Sequence, residues 1–316
     1  MSRPPVAINF PVSQQTFHPK FNDETADTIL SSNQGTLFRM HSVTLKTASG
    51  LLRLFLSQNE PSRTLTDTLP PSSNDPRLGS SGSDSPTDVI SLPFNDAPIE
   101  RVLFILSAQP TEPWVSFEEL EAAVDVMDYL DTPGPLAFVR ASCFMPVFAL
   151  EPVRLYGLGA KFGWGEVITY AARLTLTFNL FPSSDDDNKN KIEEQLTRLP
   201  SSALYRLLKF HRRRRDTFRE SVYSMETFGV GNAVHINCPC GTEVNNSFWR
   251  ELRSRLVWEI DQNPSGETIL APEVMEMEES KRCWKAKCTG CGSLYYNMAE
   301  TLKNIRGCVE LLPKDP

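Results

Sequence analysis

The apolar and polar positions change period several times along this chain, and those changes mark out its elements. Thr28 to Ser32 reads as a short strand, Asn33-Gln34-Gly35 as a turn, and Thr36 to Met40 as the returning strand of a hairpin. After His41 the period becomes helical. Ala48, Leu51, Leu52 and Phe55 fall at i, i+3, i+4 and i+7 on one face of a predicted helix. From 58 to 87 the periodicity disappears into a run rich in Pro, Ser, Gly and Asp. Such a run buries too little apolar surface to offset the entropy of ordering it, so a disordered insertion within a domain is expected.

Order is expected again from Asp88 to Leu92, a third strand. Asp96-Ala97-Pro98 then starts a helix with proline in its first turn and Ile99, Val102, Leu103 and Leu106 on its buried face. Ser116 to Glu119 has the form of a capping box, in which hydroxyl and carboxylate satisfy free backbone donors, and Leu120, Ala123, Val124 and Met127 carry that helix inward. Leu136 to Cys143 reads as another short helix. Beyond Leu150 the chain stays helical, with stripes at Val167, Ala171, Leu174 and Phe178, and at Leu204, Leu207, Leu208 and His211. A polar loop is expected over Ser183 to Asn190, where Asp185-Asp186-Asp187 lacks the alternate spacing of a cation site.

The segment Ala26 to Leu56, ADTILSSNQGTLFRMHSVTLKTASGLLRLFL, resembles the BTB/POZ family of interaction domains. The likeness lies in Asp27 before the first strand, His41 after the second, and the Leu45-x-x-x-Ser49 helix, in the order hairpin, helices, strand, helices. IERVLFIL, Ile99 to Leu106, resembles the family's next helix. Leu150 to Phe178 is similar to the helical extension that follows many fungal members, among which a late Cys-rich tail also recurs. The resemblance implies an α+β fold, with a flexible arm over 1–22 and a BTB/POZ-like domain over 23–148. A helical extension over 149–225 and a Cys-rich domain over 226–316 follow. It also implies self-association and recruitment of protein partners, in some members as adaptors of ubiquitin ligases. In place of the family's usual run after Leu120, this chain carries Thr132-Pro133-Gly134-Pro135.

Composition narrows the function classes. The chain has 316 residues and a net charge of −7, which disfavours a general nucleic-acid binder. No secretory leader is expected at Met1 to Phe10, and no apolar run is long enough to span a bilayer. A reducing compartment, cytoplasmic or nuclear, is therefore expected, and the seven cysteines read as thiols or metal ligands rather than disulfides.

The sharpest chemical signal is Cys238-Pro239-Cys240-Gly241 together with Cys288-Thr289-Gly290-Cys291-Gly292. Cys238, Cys240, Cys288 and Cys291 supply the four sulfurs of a closed tetrahedral structural zinc site, and each trailing glycine permits a tight turn. Reduced thiols in a small core are the competing reading. Cys283, Cys308 and His235 are reserve ligands. The segment 276–282 is highly charged, so zinc is expected to stand in for a missing apolar core, and Cys288→Ser to unfold the tail.

His211 with Arg212 to Arg215 reads either as a solvated helix end or as a localisation or phosphate patch. Nothing in the sequence has the frame of a nucleophile–base pair or a phosphate loop, since no strand precedes the glycines at 157–165. A non-enzyme is expected. The alternative is a zinc-dependent, nucleic-acid-binding transcriptional regulator using the Cys-rich tail and Arg212 to Arg215.

Overall fold

The computed structural model describes residues 16–58, 89–182 and 188–316. The expected arm over 1–22 is therefore described only from Thr16. The insertion over 58–87, apart from Gln58, and Asp185 to Asp187 lie outside the described residues. The described residues are mixed helix and small sheet, in two compact units, 1–143 and 144–316.

In the first unit, β1 (Thr28–Ser31) and β2 (Leu37–Met40) form the expected antiparallel hairpin, pairing Thr28 with Met40 and Ser31 with Leu37. Two helices follow, α1 (Ser42–Ala48) and α2 (Gly50–Gln58), and then β3 (Val89–Ser91). The third strand lies parallel to β1 on its other side, giving the order β2-β1-β3. A parallel neighbour needs a crossover, which α1 and α2 begin. Three helices complete the unit: α3 (Asp96–Leu106), α4 (Phe117–Tyr129) and α5 (Pro133–Ser142). Leu30, Phe38, Leu45, Leu52, Ile99, Leu103, Leu120 and Met127 are almost wholly buried and form its core.

Polar side chains tie these elements together. The Asp27 carboxylate accepts from Ser42 N (2.7 Å) and Ser42 Oγ (2.6 Å), satisfying a donor at the start of α1 that His41 leaves free. Asp96, at the start of α3, accepts from Ser32 Oγ and from Thr36 Oγ1 (2.7 Å), while its own N–H donates to Gln34 Oε1 (2.8 Å). The hairpin turn is thereby pinned to a helix sixty or more residues away.

The single helix face expected through Ala48 to Phe55 is broken in two. Ser49 is extended and wholly buried. Its hydroxyl donates to the Leu130 carbonyl and accepts from Leu52 N (3.0 Å), so it caps α2 instead of continuing α1. The N–H of Gly50 goes to Asp131 O (2.8 Å), and a side chain at position 50 would collide with the Asp131 carboxylate. The capping box is also shifted. Glu119 N donates to Ser116 Oγ as expected, but the Glu119 carboxylate accepts from Val115 N (3.0 Å), one residue before the cap.

The second unit is helical: α6 (Pro146–Ala149), α7 (Pro152–Phe162), α8 (Gly165–Leu174), α9 (Lys189–Thr197), α10 (Ser201–Val222), α11 (Gly229–Asn232), α12 (Ser247–Gln262), α13 (Pro272–Glu276), α14 (Glu278–Lys285) and α15 (Met298–Glu310). The stripe expected from Val167 to Phe178 stops at Leu174, because Thr175–Thr177 tightens into a 3₁₀ turn with Thr175 Oγ1 donating to Ala172 O. The loop expected to reach Asn190 ends earlier, at the start of α9. On α10 the buried row is Ala203, Leu207, Phe210, Arg214, Phe218 and Val222, so Leu204, Leu208 and His211 flank the core instead of facing it.

The core of the C-terminal region draws on both sides of the expected boundary at 225/226. Phe218 and Val222 of α10 pack with Trp249, Leu252, Leu256 and Ile260 of α12 and with Ile269, Cys283, Ile305 and Cys308. The region thus has a sizeable apolar core of its own, contrary to the expectation that metal replaces one. The charged residues of 276–282 sit on the outer faces of short helices, while Cys283 turns inward.

Ser49 is the polar hinge of the first unit; its loss leaves the Leu52 N–H without its partner and the Leu130 carbonyl with only the longer bond from Leu51 N (3.3 Å). Ser49→Ala is expected to destabilise this unit by roughly 1–3 kcal/mol. Urea denaturation of the two proteins measures this, and an unchanged midpoint would remove Ser49 from that role.

Candidate metal centre

Each cysteine pair sits on a tight β-type knuckle. In the first, Cys238 N donates to Thr242 O (2.8 Å), Val244 N to Ile236 O (2.9 Å), and Asn237 bridges to Glu243. In the second, Cys288 N donates to Ser293 O (2.8 Å), Tyr295 N to Ala286 O (3.0 Å), and Lys287 bridges to Leu294. The glycine after each second cysteine, Gly241 at φ 89° and Gly292 at φ 74°, adopts the left-handed conformation that turns the chain back.

The knuckles bring all four expected sulfurs together, within 4.8 Å of one another. Cys238 Sγ lies 3.6 Å from Cys291 Sγ, and Cys240 Sγ lies 3.4 Å from Cys288 Sγ. A tetrahedral zinc–thiolate centre with bonds of about 2.3 Å places its sulfurs about 3.8 Å apart, so these four fit the spacing of such a centre. Cys238 and Cys288 are buried and Cys240 and Cys291 exposed, which puts the centre at the surface over the small apolar cluster of Val244, Ile236 and Tyr295.

Backbone donors polarise the sulfurs. The N–H of Cys291 and then that of Gly290 hydrogen-bond to Cys288 and bring its thiol down to about 6, and the Cys240 and Cys238 side chains add to this. Ser293, through its hydroxyl and its N–H, lowers the Cys291 thiol. The N–H of Cys240 acts the same way on Cys238, but desolvation and the three neighbouring cysteines outweigh it and hold that thiol up at about 12. Binding of a metal cation by such a cluster would displace its remaining thiol protons to solvent.

Three contributing residues have no counterpart in the sequence reading. Thr242 Oγ1 and Ser293 Oγ each lie 3.4 Å from the sulfur two residues earlier, Cys240 and Cys291. The repeated Cys-Gly-hydroxyl triplet is the signal that would have found them. Gly290 is where the knuckles approach most closely, since a Cβ there would lie 2.3 Å from Thr242 Oγ1 and 3.4 Å from Cys240 Sγ.

The reserve ligands lie elsewhere. Cys283 and Cys308 are in the main core, where burial pushes their thiols up to about 12 and about 11. His235 is 84% exposed and faces Glu243 at 3.1 Å. Cys143 is buried in the first unit, and burial raises its thiol to about 12.

The arginine run is in the middle of α10, not at a helix end. Arg214 is buried and donates to the carbonyls of Pro264 (2.6 Å), Ser265 (3.0 Å) and Pro313. Arg215 pairs with Asp216 (3.0 Å) and Asp261 (3.2 Å), and Arg212 with Asp216 (3.4 Å). His211 Nε2 lies 2.9 Å from Thr175 Oγ1, and burial, then the charge of Arg214, brings its pKa down to about 4. Among the described residues, no helix is long and apolar enough to cross a membrane.

No protein-family model matches the chain, and no curated protein is similar to it at a significant level.

In metal-free protein, Cys288 and the exposed Cys291, whose thiols are both lowered, are expected to be alkylated before the other cysteines. Only the thiolate reacts, so the rate at Cys288 should rise with pH through about 6 and then level off. Cys143, Cys283 and Cys308 should stay unmodified over this range. Mass-spectrometric peptide mapping of iodoacetamide-treated, chelator-stripped protein from pH 5 to 8 reads this directly, and preferential labelling of Cys283 would contradict it.

Proposed function

We propose that the protein is a non-enzymatic interaction protein, with a BTB/POZ-type N-terminal unit that self-associates and recruits partners and a C-terminal unit braced by one structural zinc. The observation that carries the first half is the polar frame of the N-terminal unit. Asp27 holds the start of α1 through Ser42, and Ser49 closes against Leu130. These are signature positions of the family resemblance, and they perform structural tasks in an arrangement of hairpin, two helices, parallel strand and helices. His41 contributes at the surface, 3.4 Å from Asp23.

Self-association draws support from α2. Leu52 is buried, but Leu54 is 65% exposed, and Leu51, Phe55 and Leu56 are only partly covered. That is more apolar surface than the unit buries by itself. In this reading a second copy covers the face, and the protein acts as an adaptor, with recruitment of a ubiquitin ligase as the family role it would fill in the cytoplasm or nucleus. Sedimentation equilibrium at tens of micromolar should give a dimer mass, and Leu54→Asp should shift it toward monomer. A concentration-independent monomer mass for the wild type would refute dimerisation.

Zinc is the metal that a closed set of four thiolates favours, and such a set leaves no position for a reacting water. Cys238, Cys240, Cys288 and Cys291 would hold it, with Thr242 and Ser293 orienting two of the sulfurs. Its contribution is local bracing, because the main core of the unit lies elsewhere. The nucleic-acid reading has less to rest on, since Arg214 is buried and Arg212 and Arg215 are paired with acids.

Chelator-free protein is expected to carry about one equivalent of zinc. Cys288→Ser should lose it and speed hydrogen exchange over 236–244 and 286–296, while α12 and α15 keep their protection. Elemental analysis and exchange mass spectrometry read the two effects. Zinc far below one equivalent in the wild type would leave the four cysteines as ordinary thiols.

A further inference from the structure

Two sulfur contacts cross from one knuckle to the other. Cys240 Sγ lies 3.4 Å from Cys288 Sγ, and Cys238 Sγ lies 3.6 Å from Cys291 Sγ. In each pair one cysteine is buried, Cys288 or Cys238, and the other is exposed, Cys240 or Cys291. An oxidant arriving from solvent therefore meets one sulfur of each pair first, with the second in contact with it. A disulfide bond is about 2.05 Å long, so each pair needs to close by only about 1.5 Å.

Four sulfurs can be joined in three ways. Bonds within the knuckles would bridge Cys238 to Cys240 across Pro239 alone, a loop too short for unstrained disulfide geometry. A bond from Cys238 to Cys288 would join the two buried sulfurs, neither of which an oxidant meets first. The third way, Cys240 to Cys288 and Cys238 to Cys291, uses both observed contacts and gives each bond an exposed starting point. Gly290 keeps the approach of the knuckles open, since a Cβ there would lie 3.4 Å from Cys240 Sγ. The remaining cysteines, Cys143, Cys283 and Cys308, are buried and have no exposed sulfur to start from.

We propose that the four-cysteine centre is a peroxide-responsive switch, in which oxidation joins Cys240 to Cys288 and Cys238 to Cys291 and releases the bound metal. The release rests on the zinc reading above; the pairing rests on the sulfur contacts and their exposure. The exposed sulfur of a pair, as thiolate, attacks one oxygen of hydrogen peroxide. The O–O bond breaks, leaving a sulfenic acid on that sulfur and a hydroxide ion. The buried sulfur, as thiolate, then attacks the first sulfur; the S–S bond forms and a second hydroxide leaves. Each hydroxide takes a proton from solvent, so one peroxide is reduced to two waters by the two electrons of one thiolate pair. A disulfide sulfur no longer carries the charge that holds the metal, so the first bond halves a ligand set of four. The knuckles stay joined by covalent bonds, and the main core around Trp249 and Leu256 is untouched. A dithiol reverses each bond by exchange and is itself oxidised to a disulfide.

The test uses the full chain, purified without chelator, freed of reductant and with its zinc content measured first. Hydrogen peroxide is added in steps, released zinc is read with the chromogenic ligand 4-(2-pyridylazo)resorcinol, and linked peptides are mapped without reduction. About one equivalent of zinc should be released per chain and about two equivalents of peroxide consumed. Fragmentation of the linked peptides should place the bonds at Cys240–Cys288 and Cys238–Cys291, with Cys143, Cys283 and Cys308 still reduced. Dithiothreitol with added zinc should restore the starting state. Two double variants test the pairing without the metal. Cys240→Ser/Cys288→Ser, which keeps the Cys238–Cys291 contact, should form one disulfide. Cys240→Ser/Cys291→Ser, which keeps only the two buried sulfurs, should form one about tenfold more slowly.

Zinc retained in a large excess of peroxide would overturn the switch and leave the zinc reading standing. Release with a Cys288–Cys291 bond, with sulfinic and sulfonic acids that dithiothreitol does not reverse, or with equal rates in the two double variants would overturn the pairing and the switch with it. If the reduced protein carries no zinc, the zinc reading fails, and the switch fails with it even where both disulfides form.

Discussion

Four sulfur atoms within a few ångströms of one another impose the strictest condition in the C-terminal unit. As thiolates they repel, and as thiols they are weak hydrogen-bonding partners; only a cation in their midst makes the grouping strongly favourable. Local design in both knuckles serves that condition. The chain must reverse directly after each second cysteine, which Gly241 and Gly292 allow at φ 89° and 74°. The two turns must nearly touch, which the missing side chain of Gly290 allows. Negative charge is drawn onto two of the sulfurs, Cys288 and Cys291, by the N–H groups of Cys291 and Gly290 and by the Ser293 hydroxyl. Tyr295, whose N–H donates to Ala286 O, inherits its placement from this arrangement.

The N-terminal unit solves a different problem. Among the described residues its sheet has three short strands, so pairing alone cannot fix its register against the helices. Asp27, Ser49 and Asp96 supply that register, each bonding across a boundary between elements. Charge and polarity inside this unit act as locating pins, and the apolar positions Leu30, Phe38, Leu45 and Leu120 fill the space between them.

What could be read from the sequence was what is local. The hairpin showed itself by its turn residues, and α4 by Ser116 and Glu119. The cysteine set could be read because two short Cys-Gly motifs each encode a turn. The break at Ser49 could not, because its cause is the Leu130 carbonyl, 81 residues away. The same holds for Arg214, which looks like any member of a basic run until Pro264, Ser265 and Pro313 converge on it. The cavity lined by Phe228, Trp249, Tyr295 and Glu300 draws on three separate stretches, so no short window of sequence contains it. The shared core was missed for a related reason. Phe218 and Val222 look like the end of one helix, and only packing assigns them to the cysteine-rich region.

The Arg214 guanidinium also orders events in time. It lies at the centre of α10, yet its carbonyl partners are synthesised fifty to ninety-nine residues later. While the chain is being made, α10 therefore carries a water-solvated cation on the face that must later be buried. Burial of that face is unfavourable until Pro264 and Pro313 have emerged. The unit is thus expected to close late and all at once, with the helix held at the surface of the nascent chain until its last acceptors arrive.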